Sequence, residues 1–259
     1  MSLDSVPVWL LFAGTIFLVL MSIEGGYRLG RLARRRSEDE KEATVSNVAS
    51  AILALVAFMM AFTFGIVSDR FFTRLSLVRE EANAVRTAYR RADFLPDTER
   101  VEAKQLLIKY VDDRIAFAQA GSLERERVLE FLSQTAPIQD RLWAVAVANA
   151  RRDMNSDVGA LYIESINEVI EIQALRMALG VQARIPLEIW FVLTCVTILG
   201  MTAMGYHAGI AGSKRSLSTV ILALSFAMVI AVIASLDRPT GFITVSQQPL
   251  IDLRRSFAE

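Results

Sequence analysis

The stretch Ala43–Leu95, ATVSNVASAILALVAFMMAFTFGIVSDRFFTRLSLVREEANAVRTAYRRADFL, decides the fold. It holds no proline and a single glycine, Gly65, and Pro96 closes it, because the residue before a proline is pushed out of the helical region. Residues 48–67 are almost wholly apolar; at ~1.5 Å per residue they span ~30 Å, the thickness of a hydrocarbon core. The remainder is amphipathic and charged, through Asp69-Arg70, Arg79-Glu80-Glu81 and Arg90-Arg91. The pattern predicts one long helix that crosses a membrane and continues into water.

Around it, the 259 residues are 53% hydrophobic and carry no formal net charge, which fits a membrane protein with a sizeable aqueous part. Neutral balance and the lack of a basic stripe with interleaved aromatics give no case for nucleic acid. One cysteine, Cys195, and one histidine, His207, rule out a disulfide framework and a multi-histidine metal site within one chain. No Gly-rich phosphate loop, Gly-x-Ser-x-Gly elbow or His-Glu-x-x-His motif occurs. No cofactor and no enzymatic activity are expected. Asp4 precedes the first apolar run and no small-residue cleavage site follows it, so that run is expected to stay as an anchor.

The chain divides into residues 1–47, a first membrane helix (Val6–Ile23) with a basic loop; 48–67, the second membrane helix; 68–185, a helical aqueous domain; 186–236, the third and fourth membrane helices; and 237–259, a C-terminal tail. The aqueous domain shows no strand-like alternation and is expected as a stalk-like all-α bundle continuous with the second helix. Asp97 or Thr98 can cap a helix that Gly121-Ser122 stops; Pro137 interrupts or begins another, and Asn155-Ser156 breaks the chain again. The fold class is thus all-α, two membrane helices plus two, with a helical domain inserted. Arg28, Arg31, Arg34, Arg35, Arg36 and Lys41 follow the first helix, and Lys214 and Arg215 join the last two. Positive-inside counting puts these short loops in the cytoplasm and the helical domain outside, although a wider count of flanking charges ties.

Two rows run along the second helix. Ser46, Ser50, Ala54, Ala57, Ala61, Gly65 and Ser68 fall within about a 100° arc at ~100° per residue. Small residues allow close helix packing in lipid, with the row Ala223, Ala227, Ala231, Ala234 of the fourth helix a natural partner; a pore lining is the alternative. Beside them run Phe58, Phe62 and Ile66, a lipid-facing or core row in one chain, but stacked apolar rings in a symmetric oligomer, a constriction that gates by dewetting. The small arc extends into water through Arg79 and Arg86, and the phenylalanine arc through Asp69 and Glu80. The phenylalanine face is preferred for the axis, with Asp69 and Glu80 forming a cation-enriching vestibule; Ser50, Ala57, Ala61, Gly65, Arg79 and Arg86 form the alternative, anion-favouring face. Glu24, Asp237 and Arg238 sit at membrane interfaces, where ionisable groups are functional or structural candidates, and Asp237 and Arg238 can pair locally. Glu80-Glu81 is no catalytic dyad, since adjacent helical residues point ~100° apart.

Four stretches resemble a bacterial family of bestrophin-like membrane proteins: Glu24-Gly25-Gly26-Tyr27-Arg28-Leu29-Gly30-Arg31; Asp69-Arg70 to Glu80-Glu81-Ala82-Asn83-Ala84; Leu95-Pro96; and Asp237-Arg238-Pro239-x-Gly241 with Val245-Ser246 and Pro249-Leu250. They bracket nearly the whole chain, and the last is the most specific. The resemblance implies the two-plus-two plan, a bacterial inner membrane, and self-association. Bestrophins proper are homopentameric anion channels whose second helix forms an apolar neck. Phe58, Phe62 and Ile66 are the neck candidates here, in the order Phe-Phe-Ile rather than Ile-Phe-Phe, and the calcium-binding acidic cluster of animal bestrophins has no clear counterpart. The functional expectation is a homo-oligomeric ion channel or passive pore in the lipid bilayer, open to small ions. The alternative is a membrane-anchored helical interaction or sensor module without transport.

Overall fold

A computed structural model describes residues 6–36, 42–120, 125–212, 217–238 and 242–258. All regular structure among them is helical: α1 (Val8–Arg36), α2 (Glu42–Arg91) with a 3-10 turn (Ala92–Phe94), α3 (Asp97–Gln119), α4 (Arg125–Arg152), α5 (Asp157–Met177) with a π-helical turn (Ala178–Gln182), α6 (Leu187–Ile210), α7 (Leu217–Asp237) and α8 (Gln248–Ser256). Four helices, α1, α2, α6 and α7, are long and apolar enough to cross a membrane. The chain forms two compact units, residues 1–69 with 184–243, and residues 70–183 with 244–259. The acidic block at Ser37–Glu40, the Gly121-Ser122 stop, Lys214-Arg215 and the Pro239–Gly241 turn lie outside the described residues.

In the first unit, α1 packs along α6 and α7. Val19 and Ile23 of α1, Met201 of α6 and Ala223 of α7 share one core, while Val56 and Met60 of α2 meet Leu193 of α6 in another, flanked by Phe226 and Ile230 of α7. The glycine- and arginine-rich stretch after Ile23, expected as a loop, is helix through Arg36. The cause is packing. A Cβ on Gly26 would fall on the Thr202 carbonyl and one on Gly30 on that of Tyr206, while Cβ atoms on Gly205 and Gly209 would fall on the carbonyls of Ile23 and Tyr27. Two glycine pairs at four-residue spacing face one another, and a backbone-to-backbone approach in lipid requires it.

The second unit is a bundle. Its core holds Val85 and Ala88 of α2, Leu107 and Tyr110 of α3, Leu142 of α4, Tyr162 and Ile166 of α5, and Leu250 and Leu253 of α8. α2 runs unbroken past Ser68 to Arg91, as its lack of breakers requires. Pro96, rather than Asp97 or Thr98, occupies the N-cap of α3, with Asp97 and Glu99 in the first turn, where acids favour the helix dipole. Ser156 caps α5 by accepting the Gly159 N–H at 3.1 Å. α4 continues through Pro137 as a single helix. The segment expected as a tail ends in α8, whose aromatic end Phe257 stacks on Tyr89 with ring centroids 4.1 Å apart.

Candidate functional site

α2 presents three faces in its membrane half. One is buried inside its own chain: Ala49, Val56, Met60, Thr63 and Val67 all lie below 7% exposure. They recur at helical spacing, and the one polar member, Thr63, donates its hydroxyl to the Met59 carbonyl at 2.7 Å, which spares the apolar contact an orphan group. The second face carries the small row, with Ser50, Ala54, Ala57, Ala61 and Gly65 exposed. A Cβ on Gly65 would meet no atom within 4 Å. The expected pairing of this row with the α7 alanines is not made. Ala223 and Ala227 are fully buried, and Ala223 packs with α1 and α6, whose glycine approach brings those helices closest. The third face holds Phe58 at 64% and Phe62 at 58% exposure, rings stacked with centroids 6.5 Å apart, and half-buried Ile66.

Beyond the apolar segment the same arcs separate charge. Asp69 and Glu80 are exposed on the phenylalanine arc, and Glu80 accepts a hydrogen bond from Ser76 Oγ at 2.6 Å. Arg79 and Arg86 are exposed on the small-residue arc, where they line a cleft of about 380 Å³ with Ala82, Asn83, Gln248, Pro249 and Asp252.

Glu81, next to exposed Glu80, is fully buried, as the angular argument against a dyad requires. Its carboxylate accepts hydrogen bonds from the Tyr110 hydroxyl and from Arg176, and Arg114 Nε lies 3.0 Å away. Arg176 also donates to Gln247 Oε1 at 2.9 Å. Burial alone would raise the Glu81 carboxyl, but the Arg114 and Arg176 charges with the Tyr110 hydrogen bond outweigh it and hold it below the usual carboxylate value. Burial and the adjacent Glu81 charge push the Tyr110 phenol well up, so the acid stays ionised and the phenol stays protonated to donate. Glu81 continues the buried line of α2 between Val78 and Val85, a position whose signal is an acid on an otherwise apolar helical face. The cluster ties α2, α3, α5 and the segment before α8 together.

The interfacial candidates all make contacts inside the first unit. Glu24 pairs with Arg28 at 2.8 Å, one helical turn away. Asp237 is buried and accepts the Ile185 N–H at 3.1 Å, while buried Arg238 donates to the Val6 carbonyl. These contacts bind the ends of α6, α7 and α1 into the first unit. Among the described residues no group of three or more His, Cys, Asp or Glu side chains could hold a metal ion.

Four apolar helices in this order, with a helical unit between the second and third, define an all-α multi-pass membrane protein. Residues 16–250 match the bestrophin-like domain, and the chain belongs to that family. The fold is similar to crystal structures of mutants of a bacterial bestrophin homologue from Klebsiella pneumoniae: one is 16% identical with a TM-score of 0.63, covering 94% of this chain and 97% of that one. A second mutant matches at 17% identity and a TM-score of 0.61, over 93% and 96%. A further mutant structure, described only as a membrane protein, matches at 16% identity and a TM-score of 0.59, over 95% and 98%. No curated protein matches the chain in sequence.

Proposed function

We propose that this chain forms a homo-oligomeric ion channel whose pore is lined by α2, with Phe58, Phe62 and Ile66 as an apolar neck and Asp69 and Glu80 as the charged vestibule beside it. Membership of the bestrophin-like family supports a channel, and one observation carries the assignment to α2. One face of its membrane half, Ala49, Val56, Met60, Thr63 and Val67, is buried in its own chain, while two stacked phenylalanines and a row of small residues stay uncovered. Lipid can cover an apolar face, but the phenylalanine arc continues directly into Asp69 and Glu80, and a face that changes from apolar to acidic suits a water-filled axis. Rings of phenylalanine exclude water when closed, and a vestibule of one sign concentrates the opposite ion.

Reconstituted into liposomes, the protein is expected to pass ions, with α2 substitutions changing the flux. A purified chain that stays monomeric and leaves vesicles sealed under a salt gradient and an imposed voltage overturns the channel. A ring that is sealed but binds a soluble protein through the second unit points instead to the anchored interaction module.

A further inference from the structure

We propose that the basic face of α2 in the second unit receives an acidic stripe of α5 from the next copy of this chain, a head-to-tail contact that sets the register of the ring. The inference rests on the homo-oligomer proposed above and names the surfaces that build it.

The receiving surface is the cleft where Arg79 and Arg86 stand exposed beside Asn83 and Gln248. Among the described residues neither arginine has an ion-pair partner. The acid on the far lip, Asp252, is already occupied: it accepts from the Gln248 amide at 2.7 Å and lies 3.7 Å from Arg255. The donating surface is a stripe along α5, Leu161, Glu164, Glu168, Glu171 and Leu175, all exposed. Positions three and four apart share one helical face, so leucines flank three glutamates in a single line. Glu164 makes one contact of 3.4 Å with Arg91 and keeps 72% of its side chain in solvent; Glu168 and Glu171 have no ion-pair partner among the described residues.

Charge and spacing match. Arg79 and Arg86 are seven residues apart, as are Glu164 and Glu171, which on a helix is ~10.5 Å. An antiparallel alignment that sets Arg79 against Glu171 also sets Arg86 against Glu164 and half-buried Leu75 against Leu175. The antiparallel sense follows from the second unit itself: Arg91 of α2 meets Glu164 of α5 while Glu81 meets Arg176, so the two helices run in opposite directions, and rotation about a ring axis along them preserves that. Each copy carries both halves, so the contact is heterologous and closes into a ring when the rotation allows.

Magnitudes assign the roles. Exposed ion pairs contribute roughly 0–1 kcal/mol each, so the charges choose partner and register rather than supply most of the affinity. Affinity comes from the leucine contact that the charges bring into register.

The test uses the full chain in a Cys195→Ser background with Asn83→Cys and Glu168→Cys, one residue from directly opposite at the centre of this register. Oxidation is expected to give a ladder of covalent oligomers ending at a closed ring. Separately, Arg86→Glu or Glu164→Arg alone is expected to lower the ring fraction several-fold at low salt, and the two together to restore it. The uncharged Arg86→Gln, with helix content checked by circular dichroism, separates lost pairing from misfolding. A ring that persists without cross-links, and whose double reversal restores nothing, overturns this interface and leaves the oligomer standing. A chain that is monomeric in lipid and in mild detergent overturns both.

Discussion

Arg114 and Glu81 face each other at 3.0 Å with almost no solvent access to either, at 4% and 0% side-chain exposure. Arg176 approaches the same carboxylate from α5, so two cations converge on one anion inside the second unit. Removing one partner of such a cluster strands the others away from water, at a cost of about 3–5 kcal/mol. Glu81→Gln is therefore expected to lower the thermal stability of this unit sharply. Tyr110→Phe, which loses one hydrogen bond to a charged acceptor, is expected to cost about 1.5–3 kcal/mol. Thermal melts followed by circular dichroism compare the two.

The same cluster sets an acid limit. The folded Glu81 carboxyl titrates below its ordinary value of 4.5, so the native state holds its proton less tightly than the unfolded chain does. Its contribution is complete above the unfolded pKa and is lost as pH falls through the depressed folded value. Stability of the second unit should fall as pH drops below about 4.5, and Glu81→Gln should flatten that part of the profile. Denaturant melts across the acid range give the slope; an unchanged slope in the variant would assign acid sensitivity to other carboxyls.

Glycines separate contacts within a chain from contacts between chains. Gly26→Ala places a methyl group on the Thr202 backbone, where overpacking costs about 1–3 kcal/mol. Gly65→Ala meets nothing in its own chain and in a helix interior gains roughly 0.5–1 kcal/mol. Gly26→Ala should therefore destabilise the fold, while Gly65→Ala should fold normally and alter oligomer size or conductance. Size-exclusion profiles beside melting curves make the distinction.

Truncating Phe58 and Phe62 to alanine is expected to raise resting ion flux by widening the neck. Asp69→Asn with Glu80→Gln is expected to shift the reversal potential in a salt gradient away from cations. A shift produced instead by Arg79→Glu or Arg86→Glu, with the phenylalanine variants silent, would assign the axis to the small-residue arc and make the pore anion-favouring.

Positive-inside counting predicts that the second unit lies outside the cytoplasm. Met154 is 88% exposed between α4 and α5, so Met154→Cys in the Cys195→Ser background should react with an impermeant maleimide in cells whose inner membrane is intact. Labelling only after that membrane is breached reverses the orientation.

Much of this architecture was legible beforehand because the strongest signals are local. An unbroken run from Ala43 to Leu95 can only be one helix, and Pro96 and Pro186 mark where helices begin again. Gly26 and Gly30 read as loop for the opposite reason: glycine marks a loop by itself, and becomes a packing notch only when the opposing helix, here with Gly205 and Gly209, is known. α8 was missed because a nine-residue helix stands through tertiary contact, here through Leu250 and Leu253, and not through its own propensity. Glu81 was overlooked beside Glu80 although its place on the apolar line Val78–Val85 marks it as the enclosed one, because a pair of adjacent acids reads first as a solvated face. The two uncovered arcs of α2 were legible as patterns; in the proposed oligomer a neighbouring copy supplies their partners.

The closing segment of the second unit arrives late. Residues 244–258 complete a core begun by residues 70–183, yet α6 and α7 are synthesised between them. A ribosome adds Gln247, Leu250 and Leu253 only after both later spans have been synthesised. Until then Arg176 lacks its Gln247 partner and the bundle keeps an apolar gap where α8 will dock. Completion of the second unit is thereby made to follow synthesis of the last candidate membrane span.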